Sequence, residues 1–178
     1  MVNSEKRGLV MLYTGNGKGK TTAALGLALR AVGHGFSVCI LQFMKGSETY
    51  GEIQAIRRHL PAITVEQWGR ESFVSKANPA WEDVDLAARA LARAGEVIRS
   101  GEYDLVILDE INVALDFRLI TLDGVLKLLD GRPSHVDLVL TGRWAPQALM
   151  DRADMVSEVQ EIKHHYAEGV AAREGIEF

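Results

Sequence analysis

The sequence contains one cysteine, four prolines and no long apolar run among its 178 residues. The single cysteine, Cys39, excludes an intrachain disulfide and favours a reducing compartment, so we expect a cytoplasmic protein. No apolar stretch approaches the roughly 20 residues that a membrane-spanning helix requires. Residues 1–8 also lack the apolar core of a signal peptide, and we therefore expect no membrane partner.

An excess of positive charge is also missing. The 20 Lys and Arg residues are outnumbered by 24 Asp and Glu residues, which gives a net charge of −4. Proteins that bind nucleic acid usually present a strongly basic surface, so we expect no nucleic-acid partner. The apolar content of 47% is typical of a globular protein. The length fits a single domain over residues 1–178.

Short apolar runs alternate with longer amphipathic segments, which predicts an α/β fold with a mostly parallel central sheet of about six strands. Predicted strands cover residues 9–13, 38–43, 63–67, 103–108, 136–140 and 155–162. Predicted helices cover residues 20–32, 52–60, 122–129 and 146–152. A further helix is expected to start at Asn78 and Pro79, a capping residue followed by a first-turn proline, and to end near Gly101.

The segment from Thr14 to Thr22 has the order expected of a phosphate-binding loop, because it lies between a predicted strand and a predicted helix. Its glycines allow backbone N–H groups to surround an anion, and the helix N-terminus adds further donors. Lys20 would contact the terminal phosphates, and the Thr21 hydroxyl would bind Mg²⁺. The predicted nucleotide-binding residues are Gly15, Asn16, Gly17, Lys18, Gly19, Lys20, Thr21 and Thr22. The generic loop has glycine where this chain has Thr14.

The predicted strand over residues 103–108 is followed by two carboxylates, Asp109 and Glu110. In a phosphate-loop fold, a carboxylate at this place binds Mg²⁺ directly or through water. The sequence leaves open which of the two contacts the metal. In an ATPase, Glu110 would instead polarise an attacking water molecule.

Other polar or aromatic residues follow the remaining strands, where ligands of open parallel sheets bind. Arg143 follows the fifth strand and is a candidate nucleotide contact, although a surface arginine before a helix is an almost equally good interpretation. Trp68 and Phe73 follow the third strand, and either could simply pack against the core. Gln42 lies at the end of the second strand, and Lys45 follows it.

Several motifs together resemble the ATP:corrinoid adenosyltransferases of the phosphate-loop type. The loop from Gly15 to Ala24 reads Gly-Asn-Gly-Lys-Gly-Lys-Thr-Thr-Ala-Ala, and it is similar to the loop of that family. The other similar motifs are Leu108-Asp109-Glu110, Thr141-Gly142-Arg143, Ala153-Asp154, Val156-Ser157-Glu158, Ile162-Lys163-His164 and Gly175-Ile176. The resemblance covers nearly the whole chain and implies a three-layer P-loop NTPase fold of the RecA-like type.

The resemblance implies that the 5′-deoxyadenosyl group of ATP is transferred to the Co(I) of a reduced corrinoid, with release of triphosphate. Lys20 and Glu110 would be the catalytic residues, and Thr21, Asp109 and Glu110 would hold Mg²⁺ or Mn²⁺. Phe73 and Trp68 would contact the corrinoid, although Ser75 stands where the family has a second aromatic residue. A flavoprotein reductant and a homodimer are also implied.

Two other functions fit the residues alone. A phosphate-loop ATPase or small-molecule kinase would use Glu110 as a base and would release ADP or phosphate. A nucleotide-switched binding module would bind ATP tightly with little turnover.

Overall fold

The computed structural model describes residues 7–177, and within them six strands form one sheet. The strands are β1 (Val10–Thr14), β2 (Val38–Gln42), β3 (Ile63–Gln67), β4 (Leu105–Asp109), β5 (Asp137–Thr141) and β6 (Met155–Glu158). Their order across the sheet is β3-β2-β4-β5-β1-β6, and every neighbouring pair is parallel. The predicted α/β fold is therefore confirmed, with a sheet that is wholly parallel.

Helices cover both faces of the sheet. They are α1 (Lys20–Gly33), α2 (Gly51–His59), α3 (Trp81–Ser100), α4 (Ile111–Asp116), α5 (Leu122–Asp130) and α6 (Gln147–Arg152), followed by a short 3-10 helix at His165–Glu168. None of the helices within residues 7–177 is both long and apolar enough to span a bilayer.

The two apolar cores follow from the alternation of side chains along each strand. In β4, Val106 and Leu108 pack in a core with α3 and α5, whereas Leu105 and Ile107 pack in a second core with α1. Because both faces are buried, the central strands are continuous apolar runs. Helix, sheet and helix thus form three layers.

The parallel register brings the carboxyl ends of the strands to one edge. Gln42 at the end of β2 lies opposite Asp109 at the end of β4, and Tyr13 of β1 lies opposite Thr141 of β5. The loops that leave these strands therefore start side by side, as expected for a ligand site in such a sheet.

The predicted start of α3 at Asn78 and Pro79 is wrong. The helix begins at Trp81, and Ala80 is its N-cap residue. The buried carboxylate of Asp83 accepts a hydrogen bond from the Ala80 N–H, which closes the first turn. Arg70 of the preceding loop donates two hydrogen bonds to the same carboxylate, at 2.6 and 2.7 Å. A distant arginine, invisible to local capping rules, thus sets this helix start.

Two further differences concern the end of the last strand and a short helix after β4. The last strand was predicted to reach residue 162, but β6 ends at Glu158 because Val159 turns toward the phosphate loop. Helix α4 was not predicted. It has only six residues, and its N-cap residue Glu110 adopts a left-handed conformation at φ 62°, which sequence patterns rarely reveal.

We expect Asp83→Ala to destabilise the protein by about 2–3 kcal/mol, because Arg70 and the first turn of α3 lose a buried partner. Urea unfolding of the purified variant measures this change. Asp85→Ala is the matched control in the same helix, since Asp85 is half exposed and its ion pair with Arg89 is long, at 3.8 Å. Its effect should stay below about 0.5 kcal/mol. Equal losses in the two variants would contradict the assignment of Asp83.

Candidate active site

The loop between β1 and α1 wraps around the N-terminus of α1. Gly19 is the N-cap residue and has φ 122°, a conformation that side chains other than glycine rarely adopt. Gly15 has φ 94°, and a Cβ atom there would lie 2.4 Å from the carbonyl oxygen of Val159. The loop is therefore shaped both by its own turns and by the chain that follows β6.

Lys20 is the first residue of α1 and is almost fully buried. Its ammonium donates a 2.6 Å hydrogen bond to the carbonyl oxygen of Gly17 within the loop. Burial lowers the pKa of Lys20 below its usual range, and the negative charges of Glu110 and Asp109 oppose this effect only in part. The loop thus directs a cation toward the site where the helix N-terminus presents its N–H groups.

Asp109 ends β4 and has the most constrained carboxylate of the site. It is 1% exposed and accepts four side-chain hydrogen bonds. Oδ1 accepts from the hydroxyls of Thr21 and Thr141, both at 2.8 Å. Oδ2 accepts from Gln42 at 3.1 Å and from the Lys45 ammonium at 3.0 Å. The two predicted metal-site residues Thr21 and Asp109 are therefore in direct contact.

The sequence places Gln42 and Lys45 at the end of the second strand but does not predict that both contact Asp109. Burial alone would lower the pKa of Lys45, but the charge and hydrogen bond of Asp109 outweigh it and raise this pKa above its usual range. The sequence signal for this contact is the position of Gln42 and Lys45 at the end of a strand. That signal points to Asp109 only when it is known that β2 and β4 are neighbours in the sheet.

Glu110 follows Asp109 and lies in the wall of the cleft. Its backbone N–H donates to the Thr141 hydroxyl at 2.9 Å, which fixes the left-handed turn at this residue. Burial and the charge of Asp109 raise the pKa of Glu110 above its usual range, and Lys45 and Lys20 compensate only in part. A nearby cation would stabilise the ionised form of this carboxylate.

The donor set fits a hard divalent cation. Thr21, Asp109 and Glu110 offer hydroxyl and carboxylate oxygens, the ligands that Mg²⁺ prefers. Among residues 7–177 there is no group of three or more His, Cys, Asp or Glu side chains that could hold a metal. A metal at this site would therefore take further ligands from phosphate oxygens or water, as Mg²⁺ does in nucleotide sites.

Lys20, Thr21, Lys45 and Glu110 line an open cleft of about 640 Å³, and Asp109 lies buried behind it. Of the predicted nucleotide-binding residues, those from Gly17 to Thr22 line it, together with Arg143. Gly15 and Asn16 are not among its lining residues. The lining also includes the apolar side chains of Val113, Phe117 and Trp144. The cleft thus combines cationic and apolar side chains, which suits a molecule carrying phosphates and an aromatic base.

The C-terminal segment, residues 160–177, closes one side of the cleft and was not predicted to do so. The Lys18 ammonium donates to the carbonyl oxygen of Ile176 at 2.8 Å and lies 3.2 Å from the carboxylate of Glu177. His164 and Ile176 line the cleft. Burial would raise the pKa of Glu177, but hydrogen bonds from the Arg173 N–H and from Lys18 lower it to about 2.

The two predicted corrinoid contacts differ in their surroundings. Phe73 is fully exposed in the loop of residues 68–80 that follows β3. Trp68 is partly buried against the main core, and the guanidinium of Arg89 lies 5.6 Å from its ring centroid. Packing accounts for the Trp68 ring but leaves its buried indole N–H without a hydrogen-bond partner, whereas nothing within the described chain buries Phe73.

The chain matches the family model "ATP:corrinoid adenosyltransferase BtuR/CobO/CobP" over residues 6–178. It is 37% identical over 180 residues to "Corrinoid adenosyltransferase CobA" of Salmonella typhimurium, covering 98% of this chain and 87% of that protein. It is 36% identical over 176 residues to a "Corrinoid adenosyltransferase" of Sinorhizobium sp., covering 98% of this chain and 82% of that protein.

Two solved structures share the fold. The flagellar accessory protein FlaH of Methanocaldococcus jannaschii has a TM-score of 0.53 at 15% identity, with 86% of this chain and 71% of that chain covered. A KaiC-like protein of Pyrococcus horikoshii has a TM-score of 0.55 at 18% identity, with 86% and 73% covered. At these identities the likeness concerns the fold alone, and it confirms the RecA-like P-loop architecture.

We expect Glu177→Gln to loosen the C-terminal segment, because the variant loses the charge that holds Lys18 and Arg173. Hydrogen exchange of the amides in residues 160–177 should accelerate roughly two- to fivefold, the effect of a weak ion pair on local opening. Glu174→Gln changes an exposed carboxylate of the same segment and is the control. Identical exchange in both variants would show that Glu177 does not hold the segment.

Proposed function

Because the chain belongs to the ATP:corrinoid adenosyltransferase family, we propose that the cleft beside Lys20 holds the triphosphate of ATP. The enzyme transfers the 5′-deoxyadenosyl group of ATP to the Co(I) of a reduced corrinoid. The observation that carries the assignment of the site is the shared position of Lys20, Thr21 and Asp109 at the carboxyl edge of the sheet. That edge is where parallel sheets bind nucleotides.

Mg²⁺, or Mn²⁺ in its place, would be held by Thr21 and Glu110, with Asp109 acting through its hydrogen bond to Thr21. Support for this division comes from the Asp109 carboxylate, whose oxygens are already occupied by four donors. Glu110 accepts no side-chain hydrogen bond among the described residues and lies in the cleft wall. The metal would supply positive charge that stabilises triphosphate as a leaving group.

The protein's own groups would act on the same leaving group. Lys20, the N–H groups of residues 18–21 and Arg143 would present positive charge to the phosphates, and this stabilisation grows as the bond to C5′ breaks. The cobalt of the substrate is the nucleophile, so no protein base has to remove a proton. Glu110 is therefore assigned to the metal, whereas a phosphate-loop ATPase or kinase would use it as a base.

The corrinoid would approach from the side of the loop of residues 68–80. Phe73 is the aromatic residue of that loop that is free to contact a ligand, and Trp68 would contribute through its exposed part. We also propose a homodimer, a flavoprotein that reduces the cobalt and a cytoplasmic location, as the family resemblance implies.

Lys20→Ala should lower the rate of adenosyl transfer by about 10²- to 10³-fold, because a preorganised cation at the leaving group is lost. The assay is anaerobic, with Mg-ATP and chemically reduced cob(I)alamin, and follows the loss of Co(I) absorbance. Lys127→Ala on α5 removes an exposed lysine of an i,i+4 pair and should react at the normal rate. A normal rate in Lys20→Ala, with unchanged circular dichroism, would rule out the assignment of the loop.

Phe73→Ala should slow transfer to cobalamin more than transfer to a corrinoid that lacks the lower axial base. The reason is that the family resemblance implies a contact of this ring with the lower face of the corrin, where it would displace the axial base. Trp81→Ala provides the control, since Trp81 is an exposed aromatic residue at the start of α3. If Phe73→Ala slows both substrates equally, Phe73 has no role in displacing the axial base.

A further inference from the structure

Lys45 contacts both Thr21, which is proposed to hold the metal, and Asp109, which holds the Thr21 hydroxyl in place. Its ammonium lies 3.0 Å from Asp109 Oδ2 and 3.3 Å from Thr21 Oγ1. The Lys45 side chain is 20% exposed and lines the cleft. A protein cation thus lies between the hydroxyl and the carboxylate, on the side from which a nucleotide would enter.

Asp109 depends on Lys45 for its charge balance. Its three other side-chain donors, from Thr21, Thr141 and Gln42, are neutral. Within residues 7–177, Lys45 is the only ammonium or guanidinium in an ion pair with this carboxylate. Because a buried carboxylate without a counter-charge is costly, a cation at this position stabilises the site.

The main chain at Lys45 is held in place, so any movement must involve the side chain. The Lys45 carbonyl accepts a 3.0 Å hydrogen bond from the N–H of Gly69. A Cβ atom on Gly46 would lie 2.2 Å from the Gly69 carbonyl oxygen, which shows how closely the two loops pack. The lysine side chain is a flexible chain of four carbons that ends in a compact ammonium, and it can change partners without a backbone shift.

We propose that Lys45 is a positioning residue that exchanges partners when the metal and nucleotide bind. Its ammonium contacts Thr21 and Asp109 until a divalent cation binds beside Thr21 and Glu110, and it then moves to the phosphate chain. The proposal rests on the metal–nucleotide site assigned under the proposed function. The exchange favours joint entry of metal and phosphate, because the displaced ammonium needs an anion to pair with.

The test measures binding of Mn²⁺ alone to the full-length protein, with free Mn²⁺ detected by electron paramagnetic resonance. Lys45→Met should bind Mn²⁺ about tenfold more tightly than the unaltered protein, because the competing ammonium is gone. The same variant should bind inorganic tripolyphosphate about tenfold more weakly in metal-free buffer. Lys45→Gln retains a hydrogen-bond donor for Asp109 and should change both affinities in the same directions, which covers any folding defect of the methionine variant.

Lys18→Met is the control for general charge, since Lys18 lines the same cleft but pairs with Glu177. It should tighten Mn²⁺ binding by no more than about twofold. Equal tightening in the Lys18 and Lys45 variants, or none in the Lys45 variants, overturns the proposal. Glu110→Gln separates the two levels of inference. If Glu110→Gln weakens Mn²⁺ binding while the Lys45 variants have no effect, the metal site is supported and the partner exchange of Lys45 is wrong. If neither the unaltered protein nor any variant binds Mn²⁺, both the metal site and the partner exchange are wrong.

Discussion

The buried carboxylate of Asp109 is the constraint on which the site depends. It joins four parts of the chain through side-chain hydrogen bonds: α1 through Thr21, β2 through Gln42, the following loop through Lys45 and β5 through Thr141. Because the carboxylate is shielded from water, each of these donors is held in a medium that strengthens its interaction. One charge therefore positions the phosphate loop relative to the centre of the sheet.

The charges around the cleft explain why this arrangement suits a metal and a polyphosphate together. Lys20 has a lowered pKa because it is buried, and Glu110 has a raised pKa because it is buried beside Asp109. Each group therefore pays a desolvation penalty that a ligand of opposite charge relieves. A triphosphate with its divalent cation supplies both signs at once, and adenosyl transfer needs that stabilisation on the leaving group.

The fold could largely be predicted because its signals are local. Buried parallel strands are continuous apolar runs, and the glycine-rich loop between β1 and α1 is specific for a phosphate site. The predictions that were wrong depended on distant partners. The start of α3 is set by Arg70, 13 residues before Asp83, and β6 ends early because Val159 meets the phosphate loop.

The candidate site could be predicted only in part for the same reason. Lys20, Thr21, Asp109 and Glu110 belong to motifs that the sequence shows directly; in the structure Lys20, Thr21 and Glu110 line one cleft, and Asp109 lies buried against Thr21. Lys45 belongs to no motif, and it is separated from Asp109 by 64 positions in the chain. Lys45 reaches Asp109 because β2 and β4 are neighbours in the sheet. The contact of Lys18 with the C-terminal segment likewise forms only in the folded chain.

The central claim is that this cleft holds ATP so that C5′ reacts and the intact triphosphate leaves. The most direct test is phosphorus NMR of the products after complete reaction with Mg-ATP and cob(I)alamin under anaerobic conditions. If the cleft binds ATP in this way, one equivalent of triphosphate is released for each light-sensitive cobalt–carbon product. Accumulation of ADP or inorganic phosphate, with the Co(I) spectrum unchanged, would contradict it and would assign the cleft to phosphoryl transfer.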